Sequence, residues 1–243
     1  MPSSDQINRI VVADPAALAV MAAGRLMARI EANAGRIAIC LTGGSSPKQL
    51  YQLLATDAYA KKIPWDRVHW FIGDERFVSA SDPLNNMSTA RKLFLDHFAP
   101  KDHIHPIPTD AATPDESALA YERELKTFYG AGDLDPARPL FDLVLMGVGP
   151  DGHTASLFPG YPALAETKRW VVGVPEAHVE PFVPRVTLTL PALASCREML
   201  FEVAGKEKRA ILARLSKDES LPANRARSIG EAVFLVDQAA IGK

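Results

Sequence analysis

The sequence is poor in the features that would assign it to several large classes of protein. Only two of its 243 residues are cysteine, Cys40 and Cys196, and both lie in apolar surroundings far apart in the chain. Such cysteines are typical of small buried side chains in a reducing compartment, so we do not expect a disulfide. No apolar run approaches the roughly 18 residues of a membrane span. The best candidate, residues 18–30, is interrupted by Arg25 and Arg29.

An excess of charge of one sign is also lacking. The formal net charge is −2, which gives no reason to expect nucleic acid or an anionic membrane as a partner. No basic segment precedes an apolar stretch at the N-terminus, so a secretory signal is not expected and the predicted location is the cytoplasm. With 47% hydrophobic and 23% charged residues, the composition is that of an ordinary globular protein. We predict one α/β domain over residues 1–243.

Several catalytic motifs are missing as well. The sequence has no Walker motif, no GxGxxG fingerprint and no Gly-x-Ser-x-Gly elbow, so nucleotide binding and serine nucleophile chemistry are not indicated. No Cys-His pairing suggests covalent catalysis. His103 and His105 could supply two metal ligands, but no third ligand at suitable spacing supports them. We therefore predict no metal site.

Short apolar runs alternate with amphipathic stretches along most of the chain. Near-continuous apolar strands separated by helices are typical of a parallel sheet covered on both faces. The predicted fold is therefore a three-layer α/β/α, Rossmann-like domain with a mainly parallel sheet. Strands are predicted at residues 9–12, 36–41, 67–72, 141–146, 171–174, 185–190, 198–203 and 232–236, and helices at 14–35, from 47 onward, 85–98, 115–128 and 206–215.

Three polar motifs follow predicted strands directly. TGGSSP comes after Leu41, GDER after Ile72, and GVGPDGHT after Met146. Ligands of such folds lie outside the carboxyl ends of the strands. The three motifs are therefore expected to meet at one edge of the sheet and to form a site there.

The first motif predicts phosphate binding. Gly43 and Gly44 let the backbone approach an anion closely, and Ser45 and Ser46 lead into a helix whose first N–H groups attract negative charge. The alternative is a plain tight turn, in which Ser46 caps the helix and Pro47 occupies its first position. The residues alone do not decide between the two.

The second and third motifs supply candidates for proton transfer and anion binding. In GDER, Arg76 could bind an oxyanion and Asp74 could orient a basic group, although three adjacent charges are also typical of a solvated loop. His153 is the candidate base, with Asp151 to orient it or the substrate. We expect His153 to precede a short helix that begins near Thr154.

Two further cations are placed at predicted element boundaries. Arg185 opens the strand in PRVTLTLP, and Lys206 opens the helix in VAGKEKRA. Both could be surface charges. If the TGGSS loop holds a phosphate, both could complete a clamp for the dianion.

Taken together, the motifs resemble a known family. LTGGSSPKQLYQLL, WFIGDERFV followed by SDPLNNM, FDLVLMGVGPDGHTASLFPG and RVTLTLPAL occur in the same order as in the 6-phosphogluconolactonases. These are the cytosolic type within the glucosamine-6-phosphate isomerase/deaminase-like group. The resemblance runs from about residue 36 to 210, and its most specific element is the histidine motif.

This resemblance implies hydrolysis of 6-phospho-D-glucono-1,5-lactone to 6-phosphogluconate, without an organic cofactor. It implies that His153 activates the attacking water. The phosphate and sugar contacts of the family would map onto Gly43, Gly44, Ser45, Arg76, Arg185 and Lys206. The expected partner is a small sugar-phosphate lactone, and the expected assembly is a monomer or a weak homodimer.

Three other functions compete with this one. Glucosamine-6-phosphate isomerase/deaminases resemble this chain but typically carry Asn-Glu-Pro where it has Leu157-Phe158-Pro159, and an acid needed for ring opening would then be missing. A sugar-phosphate sensor would normally carry a helix-turn-helix segment ahead of the domain, for which the roughly 35 residues before the glycine-loop strand are expected to leave no room. A stand-alone binding module without catalysis is the third alternative.

Overall fold

A computed structural model describes residues 8–242 of the chain, and its centre is a six-stranded sheet in the order β1-β9-β8-β5-β2-β3. All five strand pairs in this sheet are parallel. The strands of the structure are β1 (Arg9–Val12), β2 (Ile37–Leu41), β3 (Val68–Ile72), β4 (Asp74–Arg76), β5 (Leu143–Met146), β6 (Val171–Val174), β7 (Arg185–Leu188), β8 (Glu198–Val203) and β9 (Glu231–Asp237).

Helices connect the strands, and the first long helix begins with the cap that the sequence indicates. Asp14 caps the first long helix by accepting from the N–H of Ala17, and Thr113 caps the second by accepting from that of Glu116. The α-helices are α1 (Pro15–Ala32), α2 (Pro47–Leu54), α3 (Asp57–Ala60), α4 (Asn86–Ala90), α5 (Asp96–Phe98), α6 (Pro114–Tyr129), α7 (Leu190–Ala194), α8 (Arg209–Leu215), α9 (Pro222–Arg225) and α10 (Gln238–Ile241).

Alternate residues of the central strands pack against helices on opposite faces of the sheet. On one face of β3, Trp70 contacts Phe94, which stacks on Tyr51 of α2. On the other face, Phe71 packs edge-on against Phe128 of α6. Burial on both faces explains why these strands are apolar at nearly every position. The predicted three-layer, mainly parallel α/β/α fold is confirmed.

A second, antiparallel sheet in the order β4-β7-β6 lies beside the end of β3. The two sheets are joined through Gly73, the single residue between β3 and β4. Its N–H donates to Leu41 of the central sheet, and its carbonyl accepts from the N–H of Leu188 in the small sheet. The small sheet therefore adjoins the carboxyl ends of β2 and β3.

The structure corrects three local predictions. GDER is a strand rather than a solvated loop, because Asp74 and Glu75 are buried and pair with β7. The strand predicted to end at Leu190 ends at Leu188, and α7 begins at Leu190, where Pro191 suits a first turn. The helix predicted at residues 85–98 is continuous but contains a π-helical turn at Arg91–Leu95. Among residues 8–242, no helix is long and apolar enough to cross a membrane.

Candidate active site

A cleft of about 180 Å³ opens where the glycine loop, β4, β7 and the histidine motif meet. Eight of the ten predicted site residues line it. Asp151 does not line the cleft but contacts His153, and Lys206 does not line it. The eight are Gly43, Gly44, Ser45, Ser46, Asp74, Arg76, His153 and Arg185. The three polar motifs therefore do converge at one sheet edge.

The glycine loop offers backbone donors to this cleft. Gly44 adopts a φ of 97°, which other residues rarely adopt, and a Cβ on Gly43 would lie 2.0 Å from Oδ1 of Asn86. Within the described chain, no protein acceptor meets the N–H groups of residues 43–46. Ser46 makes no side-chain cap bond, so the capping alternative for this serine is wrong. Unpaired N–H groups at the start of a helix form an anion site.

His153 is oriented by Asp151. Nδ1 of His153 lies 2.5 Å from Oδ1 of Asp151, and the other carboxylate oxygen lies 2.9 Å from Nε2 of His178. Burial opposes ionisation of Asp151, but the bonds to the two imidazoles outweigh it and hold the pKa of this carboxyl well below its usual range. An acceptor at Nδ1 assigns the proton of neutral His153 to Nδ1, which leaves the lone pair of Nε2 able to accept a proton.

The backbone around His153 forms a tight turn, so the short helix predicted to begin near Thr154 is wrong. Thr154 and Leu157 form an isolated bridge, and Ala155 between them has a φ of 49°. The turn is held by Ser156, whose hydroxyl donates to Asp74 at 2.6 Å and whose N–H donates to Thr187. These bonds tie the histidine motif to the small sheet.

Glycine is required beneath the imidazole. A Cβ on Gly149 would lie 2.0 Å from Cε1 and 2.1 Å from Nδ1 of His153, which no side chain allows. Phe158 packs against the same imidazole with ring centroids 4.8 Å apart. The glycines of the GVGPDGHT motif therefore serve close packing as well as turning.

Two arginines face each other across the antiparallel pair of β4 and β7. Arg76 and Arg185 are direct register partners, and like charges placed opposite each other destabilise a sheet. Nε of Arg76 is buried with no hydrogen-bond partner among the described residues. Burial lowers the pKa of Arg185, Asp74 raises it, and the charge of Arg76 lowers it further. An anion between the two guanidinium groups would remove this repulsion.

The lysine that lines the cleft is Lys208, not Lys206. Lys206 is exposed at the first position of a 3-10 turn, Lys206–Lys208. Lys208 is two residues further along, and its Nζ donates to the carbonyl of Val148 at 2.7 Å. Burial lowers the pKa of Lys208. The sequence predicts a helix that begins at Lys206, but a 3-10 turn precedes the helix, which begins at Arg209, and Lys206 in this turn is exposed.

Four residues near the cleft were missed by sequence reasoning: Asn86, His178, Glu202 and Lys208. The asparagine follows the GDER motif closely in NNM and could have been noticed as a short polar signal. Glu202 is hidden in an apolar strand, and His178 lies in an irregular loop. For those two, no pattern in the sequence indicates the contact.

Three histidines contact one another near β3, and none of them lines the cleft. Nδ1 of His69 lies 2.9 Å from Nε2 of His105, and the ring of His69 stacks on His103. His103 lies in a 3-10 turn rather than a strand. Within residues 8–242, no group of three or more His, Cys, Asp and Glu side chains is arranged to hold a metal ion.

The fold and the cleft define a class, namely three-layer α/β proteins with a polar cleft at the carboxyl ends of the parallel strands. A family model described as glucosamine-6-phosphate isomerases/6-phosphogluconolactonase matches residues 13–235. The chain belongs to this family, and the resemblance noted from the sequence is confirmed.

Individual members of the family are similar over most of the chain. A 6-phosphogluconolactonase of Synechocystis is 42% identical over 217 residues, which cover 86% of this chain and 85% of the relative. One from Streptomyces coelicolor is 36% identical over 98% of this chain and 94% of its own length. The structure of the Trypanosoma brucei 6-phosphogluconolactonase has a TM-score of 0.82 at 30% identity and covers 97% of both chains.

Proposed function

We propose that the protein is a 6-phosphogluconolactonase, an enzyme that hydrolyses 6-phospho-D-glucono-1,5-lactone to 6-phospho-D-gluconate in the oxidative pentose phosphate pathway. Family membership and the relatives named 6-phosphogluconolactonase support this function. The observation that carries the mechanism is the shared cleft, in which the oriented imidazole of His153 lies with the glycine loop and two facing arginines. The cytoplasmic location stays a prediction of the sequence.

The proposed reaction begins with a water held at Nε2 of His153. The imidazole takes one proton as the water oxygen attacks C1 of the lactone. The bond between C1 and the ring oxygen then breaks, and the proton is returned to that leaving oxygen. The new carboxylic acid ionises in solution, so each turnover releases one proton. Asp151 keeps the imidazole in the reactive tautomer and stabilises its cationic form.

The remaining polar groups are proposed to hold the substrate. The glycine loop with Ser45 and Ser46 binds the phosphate through its N–H groups. Arg76, Arg185 and Lys208 supply the cationic charge for the phosphate and for the oxyanion that develops at C1. Asp74 positions the histidine turn through Ser156 rather than contacting the base.

One contact disfavours the isomerase/deaminase alternative. Phe158 stands where Asn-Glu-Pro would carry its acid, and it is buried against His153. No carboxylate is therefore present at that position to assist ring opening. We expect no release of ammonia from glucosamine 6-phosphate.

The test is acid release from freshly generated lactone in a pH-stat, corrected for spontaneous opening. His153→Gln should lower kcat by at least about 100-fold, the usual contribution of a general base, while the circular dichroism spectrum is unchanged. His97→Gln, at an exposed histidine outside the cleft, is the matched control and should retain full activity. Wild-type protein that does not accelerate hydrolysis, or a fully active His153 variant, would refute the proposal.

A further inference from the structure

Glu202 is a buried carboxyl at the edge of the cleft that the proposed reaction does not use. It lies near the carboxyl end of β8 and lines the cleft, yet only 1% of the residue is exposed. Neither carboxyl oxygen has a hydrogen-bond partner among residues 8–242. A buried charge without a partner raises the free energy of the folded state. The folded protein therefore favours the neutral form of this carboxyl, unless its charge has a function.

The same strand shows how the chain treats a buried carboxylate that must be charged. Glu198 lies four positions earlier, on the same face of β8, and pairs with both Arg25 and Arg29 of α1. Glu202 has no such partner, and burial alone raises its pKa to about 8. The carboxyl of Glu202 is therefore mainly protonated at neutral pH.

Glu202 is close to the base of the glycine loop. Glu202 and Thr42 both line the cleft. Burial raises the pKa of Tyr51 on α2, and a charge on Glu202 raises it further. The hydroxyl of Tyr51 in turn donates to the carbonyl of Thr42 and accepts from its N–H. Thr42 is the first residue of the loop, so a charge on Glu202 would develop next to the proposed phosphate site.

The charge balance of the cleft depends on this one proton. The cleft is lined by three cations, Arg76, Arg185 and Lys208, and by two carboxyls, Asp74 and Glu202. With Glu202 neutral, the lining carries two net positive charges, which match a phosphate dianion. With Glu202 ionised, only one remains.

We propose that the protonation state of Glu202 sets the affinity of the cleft for the phosphate group. The neutral acid allows the dianion to bind, and the ionised carboxylate weakens binding by repulsion. This inference rests on the proposed function for the identity of the ligand, a phosphorylated sugar. Because both carboxyl oxygens are buried from solvent, Glu202 affects the phosphate electrostatically and not through a hydrogen bond. It is a positioning and affinity residue, not a catalytic one.

Other ionisable groups near Glu202 must be separated from it. Tyr51 faces it from α2, Lys208 follows β8, and Asp237 ends the neighbouring β9, where it accepts from the N–H groups of Gly205 and Ala240. The cleft adds Asp74, Arg76, His153 and Arg185. Lys208 also loses charge as the pH rises, because burial lowers its pKa. A comparison with Glu202→Gln isolates Glu202, since every other group is retained.

The experiment is calorimetric titration with inorganic phosphate, which needs no turnover. From about pH 7.5 to 9.5, where phosphate is mainly a dianion, the wild-type affinity should fall by about tenfold more than that of Glu202→Gln. By thermodynamic linkage, if ionisation of Glu202 weakens phosphate binding, phosphate binding must in turn favour protonation of Glu202. Near pH 8, buffers of different ionisation enthalpy should reveal a proton taken up on phosphate binding by the wild type, in excess of that taken up by the variant.

The controls distinguish Glu202 from its surroundings. Glu219→Gln, at an exposed glutamate that does not line the cleft, should match the wild type, and Glu202→Leu should reproduce the pH response of the glutamine variant if the latter is unstable. Equal proton uptake and equal pH dependence in wild type and Glu202 variants would overturn the inference. Such a result would not affect the proposed role of His153 in lactone hydrolysis. Conversely, a negative lactonase assay would not affect the result of the phosphate titration.

Discussion

Asp151 accepts hydrogen bonds from two imidazoles, but only that of His153 lines the cleft. In the proposed mechanism, the carboxylate fixes the tautomer of His153 and offsets the charge that the ring gains when it takes a proton. The pKa of Asp151 stays well below its usual range because of these bonds. Its role is therefore retained across the neutral range of pH.

At the residue scale, Asp151→Asn is predicted to lower kcat by about 100-fold or more and to leave KM within about threefold. An amide in place of the carboxylate presents the wrong partner to Nδ1 or leaves the imidazolium without a counter-charge. Initial rates of acid release measure the effect. Asp133→Asn, at an exposed aspartate, is the control, and an Asp151 variant with unchanged kcat would contradict the assignment.

At the scale of elements, β4 and β7 bring two cations together that neither strand could hold alone. Arg185 is buried, and its guanidinium donates to the carbonyls of Val183 and Pro181. Arg76 donates to the carbonyl of Leu84. These bonds fix both side chains against their mutual repulsion before a ligand arrives.

We predict that Arg76→Met raises KM by about 10-fold to 100-fold and changes kcat less, because a bond to the phosphate is made in both the ground state and the transition state. The same variant should lose most of the thermal stabilisation that inorganic phosphate gives the wild type. Arg91→Met, at a cation paired with Asp96 outside the cleft, serves for comparison. An Arg76 variant with normal KM would remove this arginine from the site.

The central elements and two strands of the small sheet, β6 and β7, were predictable because burial leaves a pattern in the sequence, whereas β4 was not. β2, β3, β5 and β8 are apolar over most of their length and were placed within about two residues. β4 has the composition of a solvated loop, and only its pairing with β7 explains why Asp74 and Glu75 are buried. Glu75 accepts from the N–H groups of Arg76, Asn86 and Met87, contacts that a local pattern does not contain.

The site was predicted in outline for the same reason. Glycines and a histidine directly after a buried strand indicate a ligand, and that signal is local. Which lysine faces the cleft depends on a 3-10 turn of three residues, and the contribution of Glu202 depends on what surrounds it. Contacts made by chain segments far apart in sequence decide both, and the single-domain prediction for the whole chain remains a prediction.

At the scale of the whole molecule, a buried histidine that does not line the cleft, His69, affects stability against acid. Burial, assisted by the neighbouring His103 and His105, lowers the pKa of His69 to about 4 from 6.5. The unfolded chain therefore binds this proton more readily than the folded one. The contribution of His69 to the free energy of unfolding should therefore fall as the pH drops from about 6.5 towards 4. Burial raises the pKa values of Glu75 and Glu202 from 4.5 to about 7 and about 8, so their contributions change in the opposite direction and are lost as the pH rises through this range.

His69→Phe is predicted to reduce this acid-induced loss, because the stacked packing is kept and the titrating group is removed. Thermal melts between about pH 7 and 4 should show a smaller drop in Tm for the variant than for the wild type. His97→Phe, at the exposed histidine on α5, should follow the wild-type curve. If both variants lose stability in parallel with the wild type, His69 does not control the acid limb.

Gly73 joins the two sheets through a single residue that is hydrogen-bonded into each of them. Asp74 and Arg76 of the cleft therefore follow the central sheet after a junction of only one residue, which is hydrogen-bonded at both its N–H and its carbonyl. An inserted residue at this junction would shift both side chains relative to the glycine loop. We therefore expect the length of this junction to be as important to the cleft as the identity of the residues that line it.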